Sequence, residues 1–230
     1  MVWLILAGFL VIVDLFITIV GAGLESDPRA QLFSPPAILI VGLAGLAGVW
    51  LSHRTGFPAA WAPSAPARWR FVYPSLIGIA IGVFLSVADI FLHWTATFSS
   101  PGGVPFNAPF PGSLLFYPGG AIIVEVFYRL IPIPLVMFLV SNLALRGRLQ
   151  EQVFWAMAVL TSLIEPVSQD LPDLRAGAEL AVGLNFAGDY AMNLAQAVVF
   201  RRYGFLTSII LRVAMYLVWH VAYGNFICRC

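Results

Sequence analysis

Glu125 and Arg129 place two opposite charges in an otherwise apolar stretch that runs from Gly119 to Leu145. Because they are four residues apart, their side chains share one face of a helix and are close enough to form an ion pair. A charged group in the hydrocarbon core of a membrane is costly unless it is neutralised, and such residues are often functional. The pair predicts either a site for acid and base chemistry or a structural ion pair that fixes the register of its helix.

Further polar residues lie on separate apolar segments, each toward the end that the predicted topology places on the non-cytoplasmic side of the membrane. They are Asp89, His93, Glu165, Asn185, Asp189 and His220. Because a helix rises about 1.5 Å per residue, the position of each residue along its segment gives its depth in the membrane. These depths are similar, which predicts a polar cavity inside the bundle. Each residue also has a structural interpretation, as a hydrogen-bonded or interfacial side chain. Arg212 lies in mid-helix and requires an acid, for which Asp189 and Asp14 are the expected partners.

Composition indicates a membrane protein with several spans. The chain has 230 residues, of which 60% are hydrophobic and 10% charged, with a net charge of +1. This composition is too apolar for a soluble domain, so the lipid bilayer is the expected partner. The basic residues form no stripe along the sequence, so nucleic acid is not an expected partner. Cys228 and Cys230 are too few for a disulfide framework, and we predict neither a disulfide nor prenylation there.

We predict a single all-α domain, residues 1–230, that forms a transmembrane helix bundle with about seven spans. The predicted spans are Trp3 to Ala22, Ala37 to Leu51, Phe71 to Trp94, Gly119 to Leu145, Val153 to about Val167, Ala178 to Phe200 and Phe205 to about Gly224. Glycines in the second span predict close helix packing at Gly42, Gly45 and Gly48.

Pro132 and Pro134 either kink one span or divide it, which would give eight. A single kinked helix puts seven arginines on one side of the membrane, and the positive-inside rule favours that arrangement, with the N-terminus in the cytoplasm. The arginines are Arg54, Arg68, Arg70, Arg146, Arg148, Arg201 and Arg202.

Three motifs occur in order along the second half of the chain. They are Glu125-Val-Phe-Tyr-Arg129, Thr-Ser-Leu-Ile-Glu165, and Phe200-Arg-Arg-Tyr-Gly-Phe-Leu206 leading into a last helix with His220 and Asn225. In this order they resemble the CPBP family of intramembrane proteases, which includes the CAAX prenyl endopeptidases and the bacterial abortive-infection proteins. The resemblance covers about residues 119–226.

The resemblance implies a metal-independent, glutamate-type endopeptidase in the bacterial inner membrane that cleaves a peptide or a prenylated protein. In this scheme Glu125 is the general base, Arg129 orients it, Glu165 or His93 assists, and the oxyanion is stabilised by His220 and Asn225.

The alternative is a non-catalytic subunit of the same fold that binds or assembles with a larger membrane protein complex. Val124 stands where the family has its first glutamate, and His220 and Asn225 are five residues apart instead of four, which predicts different helix faces. A proton relay through Asp14, Asp89, Glu125 and Asp189, or a haem held by His93 and His220, are further hypotheses. The sequence assigns no cofactor or metal site, because it lacks the motifs HExxH, CxxC, GxSxG and a phosphate-binding glycine loop.

Overall fold

The computed structural model describes residues 1–25, 27–62, 66–93, 95, 105–169, 171 and 179–228, and within them all regular secondary structure is helical. The all-α prediction is confirmed for this part of the chain. The helices are α1 Val2–Val20, α2 Pro35–Arg54, α3 Arg68–Leu92, α4 Ser113–Ala144, α5 Gln150–Ser162, α6 Ile164–Gln169, α7 Glu179–Tyr203 and α8 Phe205–Phe226.

Five of the described helices are long and apolar enough to cross a membrane, namely α1, α2, α3, α4 and α8. The helices α5 and α6 have 13 and 6 residues and are separated at Leu163, so neither reaches that length alone. Helix α7 has 25 residues but is less apolar, since it carries Asn185, Asp189, Asn193 and Gln196. The chain thus has the helical composition of an integral membrane protein.

Helix α4 is one continuous helix of 32 residues, as predicted, in spite of Pro132 and Pro134. A π-helical turn, Val126–Leu130, precedes the prolines, and the Ile131 amide donates to the carbonyl oxygen of Val126 at 3.0 Å. Such a turn inserts a residue into the helix and alters the backbone hydrogen bonding where a proline lacks its amide. The turn lies directly after Glu125 and contains Arg129, so it also sets the direction of both side chains.

Glycines allow close backbone contact between helices. A Cβ added at Gly45 would lie 1.9 Å from the Trp3 ring, and one at Gly48 would lie 2.8 Å from the Leu130 carbonyl oxygen. The packing prediction is therefore correct for these two positions. It is wrong for Gly42, where an added Cβ would meet no atom within 4 Å; the carbonyl oxygen of this residue instead accepts a hydrogen bond from Trp3.

The helix ends that carry most of the arginines meet at one end of the bundle. Asn142 at the end of α4 donates to the Arg54 carbonyl oxygen at 2.8 Å, and Arg201 at the end of α7 donates to the Thr55 carbonyl oxygen at 3.1 Å. The rings of Trp69 and Tyr203 stack at 5.8 Å between the start of α3 and the end of α7. We call this the arginine end; its members are Arg54, Arg68, Arg70, Arg146, Arg148, Arg201 and Arg202.

The opposite end is closed by residues 105–112, which we call the cap segment. Arg29, between α1 and α2, donates to the carbonyl oxygens of Phe106 and Pro105 at 2.9 and 3.1 Å. Cys228 at this end is disulfide-bonded, contrary to our prediction, and Cys230 lies outside the described residues.

Asp27 and Arg29 should make the attachment of the cap segment sensitive to acid. Burial raises the pKa of Asp27, but the hydrogen bonds and charge of Arg29, 2.6 Å away, outweigh it and hold that pKa below its ordinary value. A carboxylate of this kind stabilises the fold above its unfolded pKa of about 3.9, and the contribution is lost as the pH falls through the folded pKa. We expect Asp27→Asn to cost about 1 kcal/mol at neutral pH and to flatten the acid limb of the stability curve.

The measurement is the unfolding free energy between neutral pH and pH values below the ordinary aspartate pKa. The exposed Glu25, replaced by Gln, serves as the control. An acid limb that is equally steep in wild type and Asp27→Asn would contradict the prediction.

Candidate functional site

Glu125 is fully buried at the centre of the bundle, where α4, α7 and α8 meet. Its Oε1 atom accepts three hydrogen bonds, from Nη1 of Arg129 at 3.2 Å, Nε of Arg212 at 3.0 Å and Nε2 of Gln196 at 2.8 Å. The predicted pair with Arg129 is therefore present, with a second guanidinium added from another helix. Glu125 links all three helices through one oxygen.

Arg212 connects the two buried glutamates. Its terminal nitrogens donate to both oxygens of Glu165 at 2.9 and 2.8 Å, a bidentate geometry, while Nε holds Glu125. Our predicted partners, Asp189 and Asp14, are wrong. In the structure it is Asn193, one turn beyond Asp189, that reaches Arg212, and the Asp189 carbonyl oxygen accepts from the Asn193 amide at 2.7 Å.

The charges of this cluster balance, with two carboxylates and two guanidinium groups. Asn193 Oδ1 accepts from Arg129 and from Arg212, and Gln196 Oε1 accepts from Arg212 at 3.1 Å. In the low dielectric of a bundle interior, such charges are tolerated only when they are paired and hydrogen-bonded. We call these residues the buried ion network; its members are Glu125, Arg129, Glu165, Asn193, Gln196 and Arg212.

Two atoms of the network have no hydrogen-bond partner in the described structure, Oε2 of Glu125 and Nε of Arg129, and both are buried. An unpaired buried polar atom costs free energy, so each such atom is a candidate for a functional role. Oε2 of Glu125 keeps its lone pairs while Oε1 is saturated with donors. The hydrogen bonds to Oε1 therefore fix the orientation of the carboxylate, while Oε2 can still accept a hydrogen bond or a proton.

His220 and Asn225 lie outside this network and hold the cap segment. Nδ1 of His220 lies 2.9 Å from Oδ1 of Asn107, and since an amide oxygen only accepts, this nitrogen carries the proton. Asn225 accepts from the Phe110 amide at 2.9 Å and donates to the Ala108 carbonyl oxygen at 3.2 Å. The two residues thus act on one loop.

The expectation that His220 and Asn225 point to different helix faces is wrong. A π-helical turn, Leu217–Tyr223, widens α8 at this position. With more residues per turn, a spacing of five brings side chains together, and the Asn225 amide donates to the His220 carbonyl oxygen at 3.1 Å. The sequence shows no signal for this turn.

Tyr216 separates the two groups of candidate residues. Its hydroxyl accepts from Arg212 at 2.9 Å, and its ring lies 5.0 Å from that of His220. The face of His220 stacks on Tyr117 at 4.4 Å. His220 follows Arg212 by two helical turns, about 12 Å along the axis. The structure therefore brings together Glu125, Arg129 and Glu165, and places His220 and Asn225 beyond the tyrosines.

The side chains of Asp89 and His93, four residues apart, do not bond to each other. The carboxylate of Asp89 accepts from the Thr95 amide and hydroxyl, each at 2.8 Å, and from the Tyr223 hydroxyl at 2.6 Å. His93 ends α3 with a φ of 50° and its side chain is exposed, so it does not assist Glu125. Asp89 instead fixes the end of α3 against α8, which is a structural role.

No protein-family model, curated protein or solved structure matches the chain.

Asn193 and Gln196 are the network residues that sequence reasoning missed. Both amides lie on one face of α7 within a run of small and apolar residues, and both side chains are fully buried. Amides in such a run are a usable signal, because a buried amide in an apolar helix requires a partner on a neighbouring helix.

Proposed function

We propose that this protein is a non-catalytic, CPBP-like membrane subunit that binds or assembles with a larger membrane protein complex. We further propose that it spans the bacterial inner membrane seven times with the N-terminus in the cytoplasm, α5 and α6 together forming one span. The observation that carries the proposal is that the glutamates which could activate a water, Glu125 and Glu165, are held by Arg129 and Arg212 in a buried, charge-balanced network.

A general base must reach a water or substrate within hydrogen-bond distance. Glu125 has no exposed surface, and both oxygens of Glu165 accept from Arg212. An oxyanion site likewise needs donors directed at open space. The Asn225 amide donates to Ala108 and to the His220 backbone, and His220 donates to Asn107. These groups act as structural links in the described conformation.

Helices α5, α6 and α7 offer the surface on which we place the partner. None of them is both long and apolar enough to cross a membrane by itself. Within a bilayer, polar side chains and backbone groups that are not hydrogen-bonded inside a helix require protein neighbours. On α5 the exposed residues Trp155, Val159 and Leu160 form an apolar face away from the bundle. A partner helix packed on this face would support helices that are too short or not apolar enough to cross a membrane alone.

A photoreactive amino acid at Val159 tests the binding surface in native membranes. The control position is Val83 on α3, which is equally apolar and exposed. We expect a discrete crosslinked species that contains a second membrane protein from Val159 and none from Val83. Equal crosslinking from both positions, or none from either, would contradict the proposed interface.

The second candidate function is the intramembrane peptidase, and the unpartnered Oε2 of Glu125 favours it. In this scheme Oε2 accepts a proton from the attacking water while Arg129, Arg212 and Gln196 hold Oε1 in place. The buried network would have to open for substrate and water to enter. Cleavage would then depend entirely on Glu125.

Glu125→Gln separates the two functions. The protein is reconstituted in lipid nanodiscs and offered prenylated and unmodified peptides. We expect no cleavage by wild type above that of Glu125→Gln, since Glu125 is enclosed. Cleavage by wild type that falls at least tenfold in a folded Glu125→Gln protein would establish the peptidase and exclude a purely non-catalytic role.

A further inference from the structure

An apolar cavity opens at the arginine end, away from the buried ion network. It has a volume of about 370 Å³ and lies between the start of α1, the last turns of α2, residues 57–62 and the start of α8. Trp3, Val49, Phe57 and Phe205 contribute to its mostly apolar wall. This volume lies at the small end of the range of about 300–1,000 Å³ for ligand pockets, which suits one narrow apolar chain better than a bulky ring system.

Ser52 provides a polar contact in this wall. The residue lines the cavity, is 8% exposed, and its hydroxyl has no hydrogen-bond partner. Other serines in the bundle, such as Ser86 and Ser162, donate to the carbonyl oxygen four residues earlier at 2.7 and 2.6 Å. The hydroxyl oxygen makes no such local bond and is itself buried, so the Ser52 side chain must rotate about χ1 toward the cavity before it donates to a ligand acceptor. Since Ser52 lies near the end of α2, an ester carbonyl at the head of an acyl chain would meet it.

The surroundings of the cavity are cationic. Arg201 lies 4.9 Å from the ring of Phe57, a wall residue, and the neighbouring Arg202 is exposed. His53 also lines the cavity, and Arg54 beside it is exposed. The arginine end carries seven arginines, whereas Glu151 is the acid that the described chain places there. Clusters of this sign next to membrane helices attract anionic headgroups.

We propose that this cavity binds one acyl chain of an anionic phospholipid. The chain enters the apolar cavity between α1 and α2, the Ser52 hydroxyl donates to its ester carbonyl oxygen, and the phosphate faces the exposed arginines. This site is independent of the partner interface and of any chemistry at Glu125. It would make the protein recognise anionic lipid at its arginine end.

Filling the cavity tests the proposal. Ala60 lines it from the segment between α2 and α3, while Ala67 lies in the same segment, is exposed and does not line it. In wild type and in Ala67→Trp, we expect phosphatidylglycerol to raise the melting temperature more than phosphatidylcholine does, because a ligand that binds the folded state stabilises it. Native mass spectrometry should show one retained phosphatidylglycerol in both. Ala60→Trp should lose the retained lipid and the difference between the two lipids.

Ser52→Ala is the smaller second variant, in case Ala60→Trp fails to fold. We expect it to weaken phosphatidylglycerol binding about fivefold to tenfold, the loss of one hydrogen bond of about 1 kcal/mol. Arg202→Gln should reduce the preference for phosphatidylglycerol while leaving total lipid binding in place. Retention of the lipid by folded Ala60→Trp, or equal effects of both lipids on wild type, would overturn the proposal.

Discussion

Replacing Arg212 by methionine is expected to destabilise the protein by about 3–5 kcal/mol, the cost of removing one partner from a buried ion pair. Arg212 is fully buried and makes contacts with Glu125 and Glu165 at 3.0 Å or less. Methionine fills much of the same space but leaves two carboxylates facing one remaining guanidinium, that of Arg129. The unfolding free energy in mixed micelles of dodecyl maltoside and sodium dodecyl sulphate measures the effect.

Arg202→Met is the matched control, because Arg202 is exposed at the end of α7. Its unfolding free energy should stay near that of wild type. The double variant Arg212→Met with Glu165→Gln should recover part of the loss, since it restores the charge balance that the single variant breaks. A loss of less than about 1 kcal/mol in Arg212→Met, within the range typical of exposed pairs, would show that the network does not hold the helices together.

Gly78→Ala is expected to have the second largest effect, a loss of about 1–3 kcal/mol from overpacking. A Cβ at this position would lie 2.2 Å from the Leu211 carbonyl oxygen and 3.0 Å from the Met215 amide. Both are backbone atoms of α8, so they cannot move aside as the end of a flexible side chain would. Helices α3 and α8 must separate, and the shift would extend to Arg212, the neighbour of Leu211.

Gly120→Ala in α4 is the control, because an added Cβ there meets no atom within 4 Å. Alanine is the better helix former by about 1 kcal/mol, so this variant should be as stable as wild type or more stable. The same unfolding measurement applies to both. Equal stability of the two variants would contradict the close contact between α3 and α8.

The sequence determined the features that depend on local patterns. The apolar segments and their lengths predicted helices, and five of these are long and apolar enough to cross a membrane. The pair of Glu125 and Arg129 followed from a spacing of four residues on one helix. The continuity of α4 through its prolines followed from the distribution of arginines in the loops. Each of these inferences uses the backbone geometry of one helix or the known bias of loop charge.

Only the tertiary structure decided which polar groups meet. Arg212 pairs with Glu125 and Glu165 because α8 faces α4 and α6, which no pattern within α8 reveals. The π-helical turn near His220 changes which residues share a face, and no residue pattern in that part of the sequence indicates it. A side chain's helix face is a local property, whereas its partner depends on how separate helices dock, and that docking is fixed by contacts such as Gly78 on Leu211.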